Sequence, residues 1–199
     1  MSKSRLVVLI SGNGSNLQAV LDACRSGDLD ADVVAVFSNQ PEAYGLERAR
    51  QVEIPAHVFR KLKETPRREY DRQLADAVAV YQPDWIVLAG WMRLLSSEFL
   101  SRFPNRVINI HPALPGTFPG THAIERAWDA HLKDGLCKTG VMVHGVPDEG
   151  VDCGPVLGVR EVEIAPEDTL ESLEARIHQT EHKLYVETIR SLLRDPVQV

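Results

Sequence analysis

Short apolar runs alternate with longer amphipathic stretches along most of this chain. The continuous runs 6–10 and 33–37 are typical of strands that are buried on both faces of a sheet. Residues 16–26 show helical spacing of apolar positions and are followed by Gly27, which predicts a helix that ends there. The same patterns predict further strands at 56–59, 84–89, 106–110, 139–146 and 156–164, and helices at 42–51, 66–81, 123–132 and 169–194.

This alternation of strands and helices predicts an α/β fold with a doubly wound, mostly parallel sheet. The last two predicted strands follow one another without a helix between them, so we expect an antiparallel addition at the edge of the sheet. A long helix closes the chain. Because no internal repeat, low-complexity tract or linker divides the sequence, we expect residues 1–199 to form a single domain.

Composition narrows the class of protein. The chain has 199 residues, of which 44% are hydrophobic and 25% charged, as in ordinary globular proteins. No apolar run approaches the roughly 20 residues of a membrane helix, and no signal-peptide pattern is present, so we expect a cytoplasmic protein without a membrane partner. The net charge of −6 disfavours nucleic acid as a partner. Cys24, Cys137 and Cys153 fit neither a disulfide framework nor a Cys-x-x-Cys metal site.

Two chemically capable side chains stand at the end of a predicted strand. Asn109 and His111 are two positions apart, so on an extended strand they point to the same side. A loop rich in proline and glycine, residues 112–120, follows them. Ligands of open parallel sheets bind beyond the carboxyl ends of strands, where an amide and an imidazole suit a reaction at a carbonyl group. The alternative is that both side chains only satisfy backbone groups of the loop.

A glycine-rich loop, residues 11–16, joins the first predicted strand to the first predicted helix. Its glycines allow close approach of a ligand, and free amides at a helix start favour an anion. The dinucleotide fingerprint fails, because Leu17 replaces its third glycine and residues 37–39 read Phe-Ser-Asn where an acid is needed. We therefore predict a site for a single phosphate; a tight turn without a ligand is the alternative.

An acidic loop, residues 143–155, lies between the last two predicted strands. One of its carboxylates, Asp152 or Asp148, could hold the imidazole of His111, fix its tautomer and raise its pKa. A solvated surface turn is the alternative.

In the last predicted helix, Glu181 interrupts an apolar stripe and either faces a cationic ligand group or lies in water at the edge of the stripe. Residues 178–182 also match a zinc-binding pattern, His-x-x-Glu-His, but a third ligand is not evident. We expect no metal.

The order of these motifs resembles that of the phosphoribosylglycinamide formyltransferases, folate-dependent enzymes of purine synthesis. The resemblance covers essentially the whole chain. The Asn-x-His strand end with its distant Asp belongs to the wider formyltransferase superfamily. The segments that are specific to the narrower family are 11–17, 37–39, 45–49, 88–93 and 179–182.

The resemblance implies a Rossmann-like formyltransferase fold and transfer of a formyl group from 10-formyltetrahydrofolate, a co-substrate, to the amine of phosphoribosylglycinamide. Alternatives are a 10-formyltetrahydrofolate hydrolase with the same catalytic set and a non-catalytic ligand sensor on this fold. Whether the chain forms a homodimer is left open.

The resemblance also implies a role for each site residue. Asp152 would pair with His111 and keep it cationic, although the interval from His144 to Asp152 is one residue longer than in the family, which leaves Asp148 as a rival. At the transfer centre, Asn109 would contact the formyl oxygen, His111 would lie beside it, and Glu181 would approach the amine. The phosphate of the ribonucleotide would be bound by Gly14, Ser15 and Asn16. The folate would be bound by Arg67, Met92, Arg93, Leu94, Leu95 and Asn109.

Overall fold

A computed structural model describes residues 3–195. Its strands form one seven-stranded sheet in the order β3-β2-β1-β4-β5-β6-β7. The strands are β1 (Ser4–Ile10), β2 (Ala31–Ser38), β3 (Ala56–Val58), β4 (Trp85–Leu88), β5 (Val107–His111), β6 (Lys138–Gly145) and β7 (Val156–Glu163). The helices are α1 (Ser15–Ser26), α2 (Tyr44–Gln51), α3 (Arg67–Ala79), α4 (Ser97–Leu100), α5 (Ala123–Asp134) and α6 (Leu170–Arg194).

The predicted fold class is confirmed. Strands β1 to β5 pair in parallel, whereas β6 pairs antiparallel with both β5 and β7. The strand order reverses between β1 and β4, and the loops that follow these two strands leave the sheet side by side. That point of an open sheet is where ligands bind.

Two apolar layers cover the faces of the sheet. On one face, α1, α2, α5 and α6 contribute residues such as Leu17, Leu46 and Ile177. On the other face, α3 and α4 contribute Leu74 and Phe99. The short runs that predicted strands buried on both faces therefore lie between two helical layers.

Helix α6 is fixed to the sheet by a polar contact as well as by its apolar stripe. The hydroxyl of Tyr185, which is fully buried, donates to the backbone carbonyls of Leu88 at 3.0 Å and Ile108 at 3.3 Å. A buried hydroxyl needs such a partner, and these two carbonyls belong to β4 and β5. The contact ties α6 to the two strands whose ends carry the predicted site.

The observed helices and strands agree with the predicted ones to within two residues at most ends. The exception is α4, a single turn that the sequence analysis missed because four residues are too few to show a helical period. Among the described residues, no helix is long and apolar enough to span a membrane.

Candidate active site

A pocket of about 380 Å³ opens at the carboxyl ends of β4 and β5. Its walls come from the segments after these strands, from the end of β6 and from the acidic loop. Proline and glycine direct the chain away from the sheet here, which leaves the last side chains of each strand facing the cavity. The predicted site residues on its walls are Met92, Arg93, Leu94, Leu95, Asn109, His111 and Asp152.

His111 and Asp152 meet inside this pocket. The Nδ1 atom of His111 lies 3.4 Å from Oδ2 of Asp152, and its Nε2 atom lies 3.0 Å from the carbonyl oxygen of Phe118. Asp152 has a left-handed backbone, with φ of 50°, and its Oδ2 also accepts from the amide of Gly120 at 2.8 Å. The acidic loop thus turns the carboxylate back toward the end of β5.

Asp148 lies elsewhere. Its Oδ1 atom accepts a hydrogen bond from the amide of Gly150 at 2.8 Å and so closes a local turn within the acidic loop. Of the two rival acids, the structure brings Asp152 to His111.

Sequence reasoning missed one member of this cluster, His144. It is 2% exposed and lies directly opposite Asn109 in the antiparallel register of β5 and β6. Its Nε2 atom lies 3.1 Å from Nδ2 of Asn109 and 3.4 Å from Oδ1 of Asp152. A buried imidazole on a strand next to the acidic loop was the available signal, but the register that pairs it with Asn109 was not predictable.

Burial opposes the expected effect of Asp152 on the pKa of His111. Burial lowers the pKa of His111, and the carboxylate of Asp152 and the carbonyl of Phe118 raise it by less. Nearby His144 and Arg126 lower it further. The net effect in this structure is a pKa of His111 below its usual value.

The pKa of Asp152 is lowered. Burial raises it, but hydrogen bonds from His144 and from the Gly120 amide, together with the charge on His111, lower it by more. The carboxylate is consequently ionised at neutral pH and supplies one fixed negative charge to the cluster.

The pocket also has unused polar donors. Arg93 stacks its guanidinium group over the ring of Tyr70, at 5.1 Å from the ring centre. Its Nε atom and the Nε1 atom of Trp91 are buried, and neither has a hydrogen-bond partner within residues 3–195. Orphaned buried donors beside a cavity fit a ligand with ring nitrogen or carbonyl acceptors, such as the predicted folate.

Arg67 is not on the pocket wall. Its guanidinium group lies 3.1 Å from Oε2 of Glu149 and 3.8 Å from Oδ2 of Asp71. Glu149 does line the pocket, and its Oε1 atom accepts from the amide of Ser97 at 3.0 Å. Arg67, at the start of α3, is therefore separated from the pocket by Glu149, with which it forms an ion pair.

The predicted phosphate loop forms the start of α1. Gly14, in a left-handed conformation with φ of 75°, precedes the helix, and no side chain caps the first amides. Arg48 holds the loop from outside through two 2.9 Å hydrogen bonds to the carbonyl oxygen and Oδ1 of Asn13. The first turn of α1 therefore offers Ser15 and Asn16 to an anion. Asn16 is 8% exposed, and its Oδ1 atom has no partner in the described part of the chain.

A serine joins the glycine loop to the pocket. The amide of Ser11 donates to the carbonyl of Gly90 at 3.0 Å, and the Ser11 hydroxyl accepts from the amide of Met92 at 2.8 Å. Gly90 and Met92 both line the pocket. The two regions are separate, but one residue fixes their relative position.

Glu181 is buried and paired. It is 5% exposed, and its Oε2 atom lies 2.6 Å from Nδ1 of His178. Of the two predicted environments, water at the edge of the stripe is wrong, but the carboxylate does not line the pocket either. Among residues 3–195, no group of three or more His, Cys, Asp or Glu side chains is placed to hold a metal ion.

The structure combines a mostly parallel α/β sheet with an Asn-His-Asp cluster in a pocket at its carboxyl edge, and comparison with known proteins identifies the class of protein. The chain belongs to the formyl transferase family, whose model matches residues 4–189. Within that family it groups with the phosphoribosylglycinamide formyltransferases.

Full-length relatives carry this name. The chain is 46% identical to phosphoribosylglycinamide formyltransferase of Dictyostelium discoideum, over 94% of this chain and 97% of that protein. It is 44% identical to the Escherichia coli protein of the same name, over 90% of this chain and 82% of that protein. The crystal structure of glycinamide ribonucleotide transformylase 1 from Symbiobacterium toebii matches with a TM-score of 0.90 and 40% identity, over 97% of this chain and 89% of that one.

Proposed function

We propose that this protein transfers the formyl group of 10-formyltetrahydrofolate to the amine of phosphoribosylglycinamide. The products are formylglycinamide ribonucleotide and tetrahydrofolate. The observation that carries the proposal is the cluster of Asn109, His111 and Asp152 on the wall of the pocket, in a chain whose full-length relatives bear the corresponding name.

The reaction forms one carbon–nitrogen bond and breaks another. The amine nitrogen joins the formyl carbon, an oxyanion develops on the formyl oxygen, and the bond to N10 of the folate breaks. One proton leaves the amine and one is delivered to N10, so the overall reaction needs no other reactant.

The side chains of the cluster divide these tasks. The amide of Asn109 donates to the developing oxyanion, a contact that is formed more strongly in the transition state than in the ground state. Neutral His111 accepts the proton that leaves the amine and later returns it toward N10. Asp152, ionised beside Nδ1, orients the ring and stabilises the imidazolium that forms.

The remaining assigned residues bind the two substrates. The first amides of α1, at Gly14, Ser15 and Asn16, hold the phosphate of the ribonucleotide. Glu181 approaches the amine once the substrate is bound, with its orientation set by His178.

The folate lies between two parts of the pocket wall, 92–95 and Asn109. The exposed side chains of Met92 and Leu94 supply apolar surface, and the orphaned Arg93 donor supplies a polar contact. Arg67 acts from behind, through its ion pair with Glu149.

One assay separates this function from its alternatives. Purified protein is incubated with 10-formyltetrahydrofolate in two parallel reactions, one with phosphoribosylglycinamide and one with water as the only acceptor. We expect rapid release of tetrahydrofolate only with the ribonucleotide, together with a formylated amine in equal amount. Equal release in water alone would support the hydrolase, and binding of both ligands without turnover would support a ligand sensor.

A further inference from the structure

The start of α2 packs directly against the glycine loop. The backbone amide of Gly45 donates to the carbonyl oxygen of Gly12 at 3.2 Å. A Cβ atom on Gly14 would lie 2.7 Å from the Cα atom of Gly45, so the two backbones approach as closely as only glycine allows. The loop therefore takes its shape partly from α2, a helix that contains none of the assigned site residues.

Arg48, one turn further along α2, is committed to the same loop. Its Nε and Nη2 atoms donate to the carbonyl oxygen and to Oδ1 of Asn13, both at 2.9 Å. Its Nη1 atom donates to Oε1 of Gln18, on α1, at 3.1 Å. The guanidinium group also lies over the ring of Tyr44, 4.8 Å from the ring centre. A planar fork that is held at three acceptors and one aromatic face has a fixed orientation.

These contacts determine which way two peptide groups of the glycine loop face. In a trans peptide, the carbonyl oxygen of one residue and the N–H of the next point in opposite directions. Gly45 holds the oxygen of Gly12 and Arg48 holds that of Asn13, so the N–H groups of Asn13 and Gly14 point away from α2. Neither of these amides donates to a backbone carbonyl within residues 3–195. Successive amides on one side of a turn form a concave site for an anion.

We propose that Arg48 is a positioning residue for the phosphate of the ribonucleotide, because it fixes the carbonyl oxygen of Asn13 so that the Gly14 amide faces the phosphate. The inference rests on the proposed function and deepens it by adding a residue outside the assigned set. The guanidinium group lies on the other side of the peptide from the phosphate and acts through the backbone. Its fork geometry carries the role, and its charge by itself does not.

Two variants separate the fork from the charge. Arg48→Met removes the guanidinium group and keeps an unbranched apolar stem, whereas Arg48→Lys keeps the charge on one ammonium group without the planar fork. In both variants KM for phosphoribosylglycinamide should rise about tenfold, the range for loss of hydrogen bonds from a charged group. The kcat and the Kd for tetrahydrofolate should hardly change. An unchanged KM in Arg48→Lys would show that charge is sufficient and would overturn the proposal.

The phosphate group itself provides a test to which a merely structural role would not respond. Glycinamide riboside has the same amine and ribose but lacks the phosphate. Its kcat/KM should be the same in the original protein and in both Arg48 variants, whereas kcat/KM for phosphoribosylglycinamide should fall about tenfold in the variants. An equal loss with both substrates would mean that Arg48 supports the fold in general, and the proposal would be wrong.

Arg50 provides the matched control on the same helix. Its Nη1 atom lies 3.7 Å from Oε2 of Glu47 in a surface ion pair. Arg50→Met should leave KM for both substrates unchanged. If KM for the ribonucleotide rose as much as in Arg48→Met, loss of any positive charge from α2 would explain the effect, and the role of the fork would be refuted.

Amide spectra with inorganic phosphate give a measurement that does not depend on turnover. We expect the amide proton of Gly14 to move downfield when phosphate is added to the original protein, and to stay in place in Arg48→Met. If this difference is found in a protein that does not formylate the ribonucleotide, the proposed function is wrong and the positioning role stands. If formyl transfer occurs but the Gly14 amide responds equally in both proteins, or in neither, the positioning role is wrong and the function stands.

Asn13→Ala tests the same role from the other partner and decides the matter if the Arg48 variants do not fold. It removes the Oδ1 acceptor and keeps the backbone carbonyl, so Arg48 is held less firmly. We expect KM for phosphoribosylglycinamide to rise about threefold, the range for loss of one hydrogen bond, with no change for the riboside. An unchanged KM for the ribonucleotide would overturn the proposal.

Discussion

The glycine loop and the transfer centre lie at the same edge of the sheet but are built from different groups. The glycine loop offers backbone amides at the start of α1, and its shape depends on Gly14 having no side chain. The transfer centre offers side chains, and hydrogen bonds and ion-pair contacts join those of Asn109, His111, His144 and Asp152. A backbone site is therefore damaged by added bulk, whereas a side-chain site is damaged by a change of charge with no change of shape.

The largest effect is expected from a change of charge in the transfer centre. Asp152→Asn keeps the size of the side chain and an oxygen that can accept from the Gly120 amide, but it removes the negative charge. We expect kcat to fall by about 10², the range for loss of support to a general base. The pKa of His111, followed by NMR titration, should move further below its usual range because the opposing effect of the carboxylate is lost.

Asp148→Asn is the matched control for this change. Its carboxylate closes a turn with the Gly150 amide, a contact that an asparagine oxygen also makes. We expect kcat within about twofold of the original value, as for surface substitutions that break no specific contact. A large loss of kcat in Asp148→Asn with little loss in Asp152→Asn would contradict the geometry of the acidic loop.

A smaller effect, on binding alone, is expected from added bulk in the glycine loop. A Cβ atom on Gly14 would lie 2.7 Å from the Cα atom of Gly45, and φ of 75° strains any branched residue. Gly14→Val should raise KM for phosphoribosylglycinamide about tenfold, equivalent to about 1.4 kcal/mol of binding free energy. The Kd for tetrahydrofolate, measured by titration, should hardly change.

Gly12→Ala tests whether that effect is specific. Gly12 belongs to the same loop, but a Cβ atom there meets nothing within 4 Å. KM for the ribonucleotide should stay close to its original value, and Tm should change little. Equal damage from Gly12→Ala and Gly14→Val would show that the loop tolerates no substitution, and the steric argument would then be wrong.

The same contrast explains how much could be predicted from sequence. A site built from backbone amides is visible in a short stretch of sequence, so the spacing of Gly12 and Gly14 was sufficient to locate the glycine loop. A side-chain cluster depends on pairing between distant segments. Asn109 and His111 were visible because they are neighbours, but the partnership of Asn109 with His144 follows from the register of β5 and β6.

Burial was the other quantity that the sequence did not supply. The pairing of His111 with Asp152 suggested a cation, but the depth of the ring in the protein reverses the net shift of its pKa. Glu181 shows the same limit. Its position in the stripe left two environments open, and only the packing of α6 shows that it is buried against His178.

The smallest expected effect concerns the pair of His178 and Glu181 and is measured as a change in stability. The hydrogen bond to Glu181 raises the pKa of His178, burial opposes that shift, and the charges of Glu181 and Glu174 add to it. A folded pKa above the unfolded value of about 6.5 means that the stabilisation is fully present below pH 6.5 and is lost as the pH rises through the folded pKa.

Because the side chain of His178 is 50% exposed, solvent screens the pair, and we expect a contribution of only about 0.5 kcal/mol. His178→Gln should therefore lower Tm by about 1–2 °C at pH 5.5 and by less at pH 9. Glu181→Gln should remove the same pH dependence, because it removes the other partner. Thermal unfolding of both variants across this range provides the measurement, and a gap that widens toward high pH would contradict the assigned pair.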